Sequence, residues 1–258
     1  MKNKPRLVNL FIAEGMKYWF EIKRYFFNTI SSLLVIYIIF LVYFFGIKFI
    51  SGPAISTNRL DAVIIGYMMW MLALIGFQGT SYLVYDEMQR GTFEQMYMSS
   101  LGLEKVFFFR VFYDTIFSLI FSTLILLLTM ITTGRYFTFN VLHFLIIFFL
   151  SIPSMWGLGF IFGGIALIFK KISSFLALMQ FVIIVFVAVD GYPFGLMSFL
   201  PFAAGASSIQ HLINNHGTFP LWWYPFLLAI SIFYLILGIL IFRLLLKKAR
   251  KMNLLGQY

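Results

Sequence analysis

The sequence contains no cysteine and few charged residues. Charged side chains make up 11% of its 258 residues, whereas 62% of the residues are hydrophobic. The absence of cysteine excludes disulfides, thiolate metal ligands and cysteine nucleophiles. A soluble domain is about 25% charged and about 45–50% apolar. The polar residues are therefore too few to cover the apolar ones in water, and we expect much of the chain to lie in lipid.

Motifs for nucleotide binding and hydrolysis are also missing. The sequence has no G-x-x-x-x-G-K-[ST] loop to hold nucleotide phosphates and no G-x-S-x-G elbow. His143, His211 and His216 do not share helical spacing with carboxylates, which argues against a zinc site. We expect a non-catalytic chain that binds no cofactor or metal. If ATP drives its function, ATP and magnesium belong to a separate chain.

A group of glycines superficially resembles a dinucleotide-binding fingerprint. Gly157, Gly159, Gly163 and Gly164 lie inside an apolar run, however, without the strand and turn that such a fingerprint requires. Small residues spaced in this way let helices approach each other closely in a membrane. The glycines therefore predict close helix packing.

Six apolar runs are long enough to suggest membrane spans. A helix needs about 20 apolar residues to cross about 30 Å of hydrocarbon. The runs are 29–50, 60–85, 106–132, 141–169, 172–189 and 221–246. The fourth contains Pro153, which predicts a kink, and the fifth is short.

Basic residues are distributed unevenly between the two sides of these runs. The sequence has 19 Lys and Arg against nine Asp and Glu, and Lys48, Arg59 and Arg135 are the only basic residues on one side. The other basic residues are on the opposite side, which the positive-inside rule assigns to the cytoplasm. Both termini are then cytoplasmic, which agrees with six spans. Basic residues that flank apolar runs argue against nucleic acid as a partner.

Residues 1–28 have the pattern of an amphipathic helix at the membrane interface. Their polar residues recur in steps of mostly three and four and include Lys17, Glu21 and Arg24, and Trp19 lies on the apolar face. Lys17 and Glu21 are four residues apart and are able to pair. A simple basic anchor without a mechanical role is the alternative.

The segment 86–104, between the second and third apolar runs, is the most polar internal stretch. Arg90 is four residues from both Asp86 and Glu94, a spacing typical of an exposed helix. Thr92 and Gln95 have the spacing of a capping box, and Gly91 permits a bend. We predict two short helices joined by a bend at the membrane face.

The string E-x-x-x-G-T-x-E-Q in this segment resembles the corresponding segment of ABC type-2 permeases, the membrane subunits of many bacterial exporters. It consists of Glu87, Gly91, Thr92, Glu94 and Gln95. In that family the segment is a coupling helix that docks into a cleft of the ATPase. The resemblance assigns ATPase coupling to Glu87, Arg90, Gly91, Thr92, Phe93, Glu94 and Gln95. It departs from the family at Ser99-Ser100, where a proline commonly follows Thr or Ser.

The rest of the chain is also similar to this family. Residues 190–220 are apolar, rich in Gly and Pro, and include Gly191, Pro193 and Pro201, in the place of a re-entrant hairpin. The resemblance implies an all-α membrane protein in the bacterial cytoplasmic membrane. Residues 1–28 would form the interfacial helix and residues 29–258 a six-span transmembrane domain. Two ATPase subunits and a second permease copy or a paralogue would be its partners.

Two acidic residues near the predicted span ends have alternative interpretations. Asp114 lies four residues after Arg110, which suits an intrahelical ion pair, but it could also face a translocation path or a partner on another helix. Asp190 is a candidate N-cap for a hairpin helix.

The sequence thus favours an ATP-driven exporter of an amphipathic peptide, drug or lipid-like molecule. A path with hardly any internal charge does not suit a strongly ionic cargo. One alternative is a secondary transporter driven by an ion gradient, which predicts intramembrane acids or an inverted repeat. Another is a scaffold or immunity subunit that transports nothing.

Overall fold

A computed structural model of the chain describes residues 7–51, 57–98, 102–136, 140–169, 171–215 and 219–252, and all regular structure in these ranges is helical. The α-helices in chain order are α1 (Leu7–Arg24), α2 (Phe26–Ser51), α3 (Thr57–Gln89), α4 (Phe93–Tyr97), α5 (Leu103–Thr133), α6 (Val141–Ser151), α7 (Pro153–Ala166), α8 (Ser173–Ala188), α9 (Ala203–Asn215) and α10 (Trp223–Lys251). A 3₁₀-helix, Leu196–Phe199, lies between α8 and α9.

Five helical stretches are long and apolar enough to cross a membrane. They are Phe26–Ile50, Leu60–Gln89, Leu103–Thr133, Val141–Ala166 and Trp223–Lys251. Helix α8 has 16 residues, which span about 24 Å at 1.5 Å per residue, less than the hydrocarbon thickness of about 30 Å. The described structure is that of a multi-pass helical protein. Its candidate spans number five where the sequence predicted six.

The predicted kink in the fourth apolar run is confirmed. Helix α6 ends at Ser151 and α7 begins at Pro153, with Ile152 between them. A proline has no N–H to donate to the preceding turn, and its ring clashes with a carbonyl there. The two helices therefore meet at a break within the candidate span Val141–Ala166.

Helix α7 runs parallel to α3 and packs closely against it. Gly159 faces Phe77 and Gly163 faces Val84, so residue numbers rise together along the two helices. A Cβ added at Gly159 would lie 2.6 Å from the carbonyl oxygen of Phe77. Only glycine permits that approach, which confirms the predicted close packing.

Helix α7 also runs parallel to α10, on its other side. Gly157 faces Tyr234 and Gly164 faces Phe242. Gly238 of α10 lies directly opposite Gly157, and a Cβ added at Gly238 would lie 2.6 Å from the carbonyl carbon of Gly157. Helix α7 is thus the central element of the bundle, held between α3 and α10.

Helices α5 and α8 run in the opposite direction to α3. Along α5 and α3, the contacting pairs Arg110–Glu87 and Arg135–Asp61 show that residue numbers rise on one helix as they fall on the other. Along α8 and α3, the Gln180 carbonyl accepts a hydrogen bond from Trp70, and Val187 lines the same pocket as Val63. The end at which α3 finishes also holds the C-terminal half of α10, where the basic residues Lys247, Lys248, Arg250 and Lys251 are found. We call this the basic end of the bundle.

The segment between α8 and α10 folds back into the bundle. Gly191 packs against the backbone of Ala203, and its carbonyl accepts a 2.6 Å hydrogen bond from the Ser198 hydroxyl. Pro201 is buried and Pro193 is exposed. Helix α9 then packs against α6, α3 and α8. The predicted N-cap at Asp190 is wrong. The first helical turn after it begins at Leu196, and the N-cap of that turn is Gly195, whose N–H donates to the Ser198 hydroxyl.

Candidate functional site

The polar segment after α3 forms an elbow, which we define as residues 86–97. Helix α3 continues to Gln89, the chain bends at Gly91, and α4 follows at Phe93. Gly91 has a φ of +68°, in the left-handed region that favours glycine. The predicted bend is therefore confirmed. The helix before it is the end of a long span, however, and not a separate short helix.

Glu87 is the centre of the elbow and is only 5% exposed. Its Oε1 accepts a 2.6 Å hydrogen bond from Nη1 of Arg110 on α5. The Thr92 hydroxyl donates to the other carboxylate oxygen, and the Thr92 N–H donates to the Glu87 carbonyl at 3.0 Å. The side chain of Thr92 is thus engaged by Glu87 and does not cap α4. The predicted capping box is wrong for this reason.

Helix α4 presents two different faces. Phe93 is buried, and its ring centroid lies 6.3 Å from that of Phe107 on α5. Glu94 and Gln95 are exposed, as is Arg90 at the bend. The resemblance assigns ATPase coupling to Phe93, but its side chain lies inside the bundle, where it anchors α4. Residues 99–104 continue the predicted coupling segment, and 99–101 lie outside the described residues.

The C-terminal half of α10 is also tied to this region. Nη1 of Arg250 donates a 2.6 Å hydrogen bond to the Tyr97 hydroxyl, and its guanidinium lies 5.1 Å from the Tyr97 ring centroid. Arg243 of α10 forms an ion pair with Glu104 at the start of α5. The elbow is therefore connected to α5 and α10 as well as to α3.

Helix α1 is docked on α5. The tilted rings of Phe11 and Tyr113 have their centroids 4.9 Å apart, and Gly15 leaves room for the Tyr113 ring. The Tyr18 hydroxyl donates a 2.8 Å hydrogen bond to Oδ1 of Asp114. Burial and the neighbouring Asp114 carboxylate raise the pKa of Tyr18, so its hydroxyl stays protonated.

These contacts settle the arrangement around Asp114. Arg110, four residues away, pairs with Glu87, and Asp114 has Tyr18 on another helix as its hydrogen-bond donor. The interhelical alternative is thus the one observed. On α1, Trp19 is exposed, and Lys17 and Glu21 line a common cavity without an ion pair between them.

We expect Tyr18→Phe to loosen the docking of α1. The change removes the hydroxyl and leaves Asp114 without its donor, a loss of about 1–3 kcal/mol for a buried polar group. Hydrogen exchange of α1 amides should speed up in the variant. Tyr25→Phe is the matched control, because Tyr25 is exposed and the change keeps its ring, which lies 5.5 Å from the Arg24 guanidinium. Equal exchange in both variants would contradict the docking contact.

A second feature is an apolar pocket of about 470 Å³ between α2, α3, α8 and α9. Aliphatic and aromatic side chains form most of its wall, with a few polar groups at Tyr43, Tyr67, Trp70 and Gln210. The Tyr67 hydroxyl donates to the Ile36 carbonyl at 2.8 Å, and Nε2 of Gln210 donates to the Val187 carbonyl at 3.3 Å. Sequence reasoning did not locate this pocket, because its residues come from four separate elements.

Within the described residues, no group of three His, Asp or Glu side chains is arranged to hold a metal ion. His143 and His211 lie on different helices, and His216 is outside the described residues. At the basic end, a buried ion pair, hydrogen bonds to tyrosine hydroxyls and aromatic contacts join α1, α3, α4, α5 and α10.

Comparison with known proteins does not assign the chain to a family. No protein-family model matches the sequence, and no curated protein matches it. The structure and the motif in the elbow therefore carry the functional argument.

Proposed function

We propose that this chain is the membrane-spanning permease subunit of an ATP-driven ABC exporter in a bacterial cytoplasmic membrane. Two ATPase subunits on separate chains would hydrolyse ATP with magnesium. A second permease copy or a paralogue would complete the transport path. ATP-driven closure of the ATPases would push on α4 and open the interface between the two permeases to an amphipathic cargo.

The observation that supports this proposal best is the anchoring of the elbow. Glu87 joins it to Arg110 of α5, and Phe93 packs against Phe107 of the same helix. Tyr97 joins it to α10 through Arg250. A load applied to exposed Glu94 and its neighbours would therefore move three long helices together instead of bending a loose loop.

The helix directions support a six-span topology. Helices α3, α7 and α10 are parallel, and successive parallel spans require a return crossing between them. In this proposal α8 provides the crossing between α7 and α10, and the folded-back segment with α9 fills the remaining depth. Both described chain ends, α1 and the C-terminal half of α10, then lie on the cytoplasmic side with the elbow.

The pocket between α2, α3, α8 and α9 is the proposed contact for cargo. Its volume of about 470 Å³ is in the range of about 300–1,000 Å³ for small-molecule sites. Apolar walls with a few polar groups suit an amphipathic drug, a lipid-like molecule or the apolar side chains of a peptide. Asp61, Glu87 and Asp114 each have a hydrogen-bonded partner, which disfavours an ion-driven relay through them.

The proposal is tested by reversing the charge of α4. We expect Glu94→Lys to lower ATPase co-purification and export strongly, because Glu94 is on the exposed face of the elbow and the change reverses its charge there. The measurement is ATP hydrolysis in the complex isolated from the native host through a tag on this chain.

Asp190→Lys is the matched control, since it makes the same charge change at an exposed position. Asp190 follows α8, at the end of the bundle opposite the elbow. The control should retain the ATPase at the wild-type level. A Glu94→Lys chain that still brings down a P-loop ATPase and exports normally would overturn the coupling assignment. So would a wild-type chain that exports with no ATPase attached.

A further inference from the structure

A cavity of about 640 Å³ opens at the basic end, between α1, the elbow and α5. Its lining contains four cationic side chains, one carboxylate and two aromatic rings. These are Lys17, Phe20, Glu21, Arg24, Tyr25, Arg90 and Arg110. Three separate stretches of the chain thus bring positive charge to one place.

Among the described residues, Arg110 is the only one of these four cations that forms a close ion pair. Arg110 is neutralised by Glu87. Within the ranges that the structure describes, no carboxylate lies within 4.0 Å of Lys17, Arg24 or Arg90. Glu14 acts on Lys17 and Asp86 on Arg90 only at longer range, and neither acid lines the cavity. Like charges around one cavity repel each other, and an anion between them would offset that repulsion. The cavity therefore suits an anionic ligand.

The surroundings indicate that this anion has an apolar part. Phe20, which lines the cavity, is 63% exposed, and Trp19 and Phe27, nearby in the sequence, are 58% and 86% exposed. Exposed aromatic rings beside Lys and Arg are typical of the region where a membrane helix meets lipid headgroups. Clusters of basic residues at this depth attract anionic lipids, at about 1 kcal/mol per Lys or Arg.

We propose that the cavity binds the phosphate headgroup of an anionic phospholipid, with the phosphodiester between Lys17, Arg24 and Arg90. Guanidinium groups bind phosphate oxygens through paired N–H donors, and an ammonium group adds a point charge. Glu21 disfavours a multiply charged anion and is able to accept a hydrogen bond from a headgroup hydroxyl. A singly charged diester with free hydroxyls, such as phosphatidylglycerol, meets both conditions.

This site requires no ATPase, so its test is independent of the exporter proposal. The purified full chain is placed in nanodiscs of phosphatidylcholine with increasing phosphatidylglycerol, and the bound lipid is measured by native mass spectrometry after mild delipidation. We expect retention of phosphatidylglycerol over phosphatidylcholine. The triple variant Lys17→Gln, Arg24→Gln and Arg90→Gln should bind phosphatidylglycerol roughly a hundredfold more weakly, from about 1 kcal/mol per cation.

The matched control removes the same number of cations from the same end of the bundle. Lys247→Gln, Lys248→Gln and Lys251→Gln change exposed residues of α10 that do not line the cavity. This control should retain the lipid as the wild type does. Equal loss in the two triple variants would reveal diffuse surface attraction and overturn the site.

Two further measurements distinguish a lipid headgroup from free phosphate and cover the case in which the triple variant does not fold. Thermal protection by millimolar inorganic phosphate as large as that by phosphatidylglycerol would overturn the lipid assignment, as would equal retention of phosphatidylcholine. If the cavity triple variant does not fold, the single variants Lys17→Gln and Arg24→Gln decide the question. Each should bind phosphatidylglycerol about fivefold more weakly, and wild-type affinity in both would contradict the proposal.

Discussion

A chain carrying Arg110→Met is expected to lose about 3–5 kcal/mol of stability, because the change leaves Glu87 as an unpaired charge inside the bundle. The side chains of Arg110 and Glu87 are 15% and 6% exposed, so water offers Glu87 little compensation. The variant should unfold at a clearly lower temperature in detergent micelles. The elbow should also become accessible to protease, because Glu87 holds Thr92 as well.

The same substitution in an exposed ion pair provides the control. Arg243 and Glu104 are 56% and 37% exposed, and exposed pairs contribute about 0–1 kcal/mol. Arg243→Met should therefore shift the unfolding temperature much less than Arg110→Met. Equal shifts would show that the Glu87–Arg110 pair is not a structural centre.

A double variant separates the charge penalty from the loss of packing. In Arg110→Met with Glu87→Leu, both charges are absent and the volume is nearly kept, so much of the lost stability should return. Thr92 then loses its acceptor on the side chain of residue 87 but keeps the backbone hydrogen bond to the carbonyl of that residue. If the double variant is as unstable as Arg110→Met alone, the instability comes from packing and not from the unpaired carboxylate.

Local features of the elbow could be predicted from the sequence, and its long-range contacts could not. The bend at Gly91 follows from a glycine within a polar stretch, and such a signal spans only a few residues. The partner of Glu87 is 23 residues away, and the partner of Asp114 is 96 residues away. Spacing along a helix favoured an ion pair between Arg110 and Asp114, but the tertiary structure brings each of them a different partner.

The amphipathic pattern of α1 shows the same limit. Polar residues at steps of three and four correctly indicated a helix with two faces. They did not indicate that part of its apolar face, through Phe11, packs against Tyr113 of α5 instead of lipid. Hydropathy reports that a face is apolar, and it does not distinguish a lipid tail from a phenyl ring on a neighbouring helix.

The glycines of α7 are a case in which spacing and structure agree, and they support the second large prediction. Gly157→Ala is expected to lower the stability of the bundle by about 3 kcal/mol, at the upper end for an overpacked core. The added Cβ would lie 2.5 Å from the carbonyl carbon of Tyr234. The obstacle is backbone, so no side-chain rotation relieves the clash and α7 must move away from α10. Thermal unfolding in detergent micelles measures the effect.

Gly46→Ala is the control for this change, because a Cβ at Gly46 of α2 meets no atom within 4 Å. Alanine favours a helix over glycine by up to about 1 kcal/mol, so the control should be neutral or slightly more stable. Gly157 and Gly238 face each other at one helix crossing. A Cβ at Gly157 meets the backbone of α10, and a Cβ at Gly238 meets the backbone of α7. Once α7 has moved away for the first alanine, the second finds room already open. The double variant Gly157→Ala with Gly238→Ala should therefore lose much less stability than the two single losses added together. Additive losses would mean that the two glycines lie in separate contacts, contrary to the close crossing of α7 and α10.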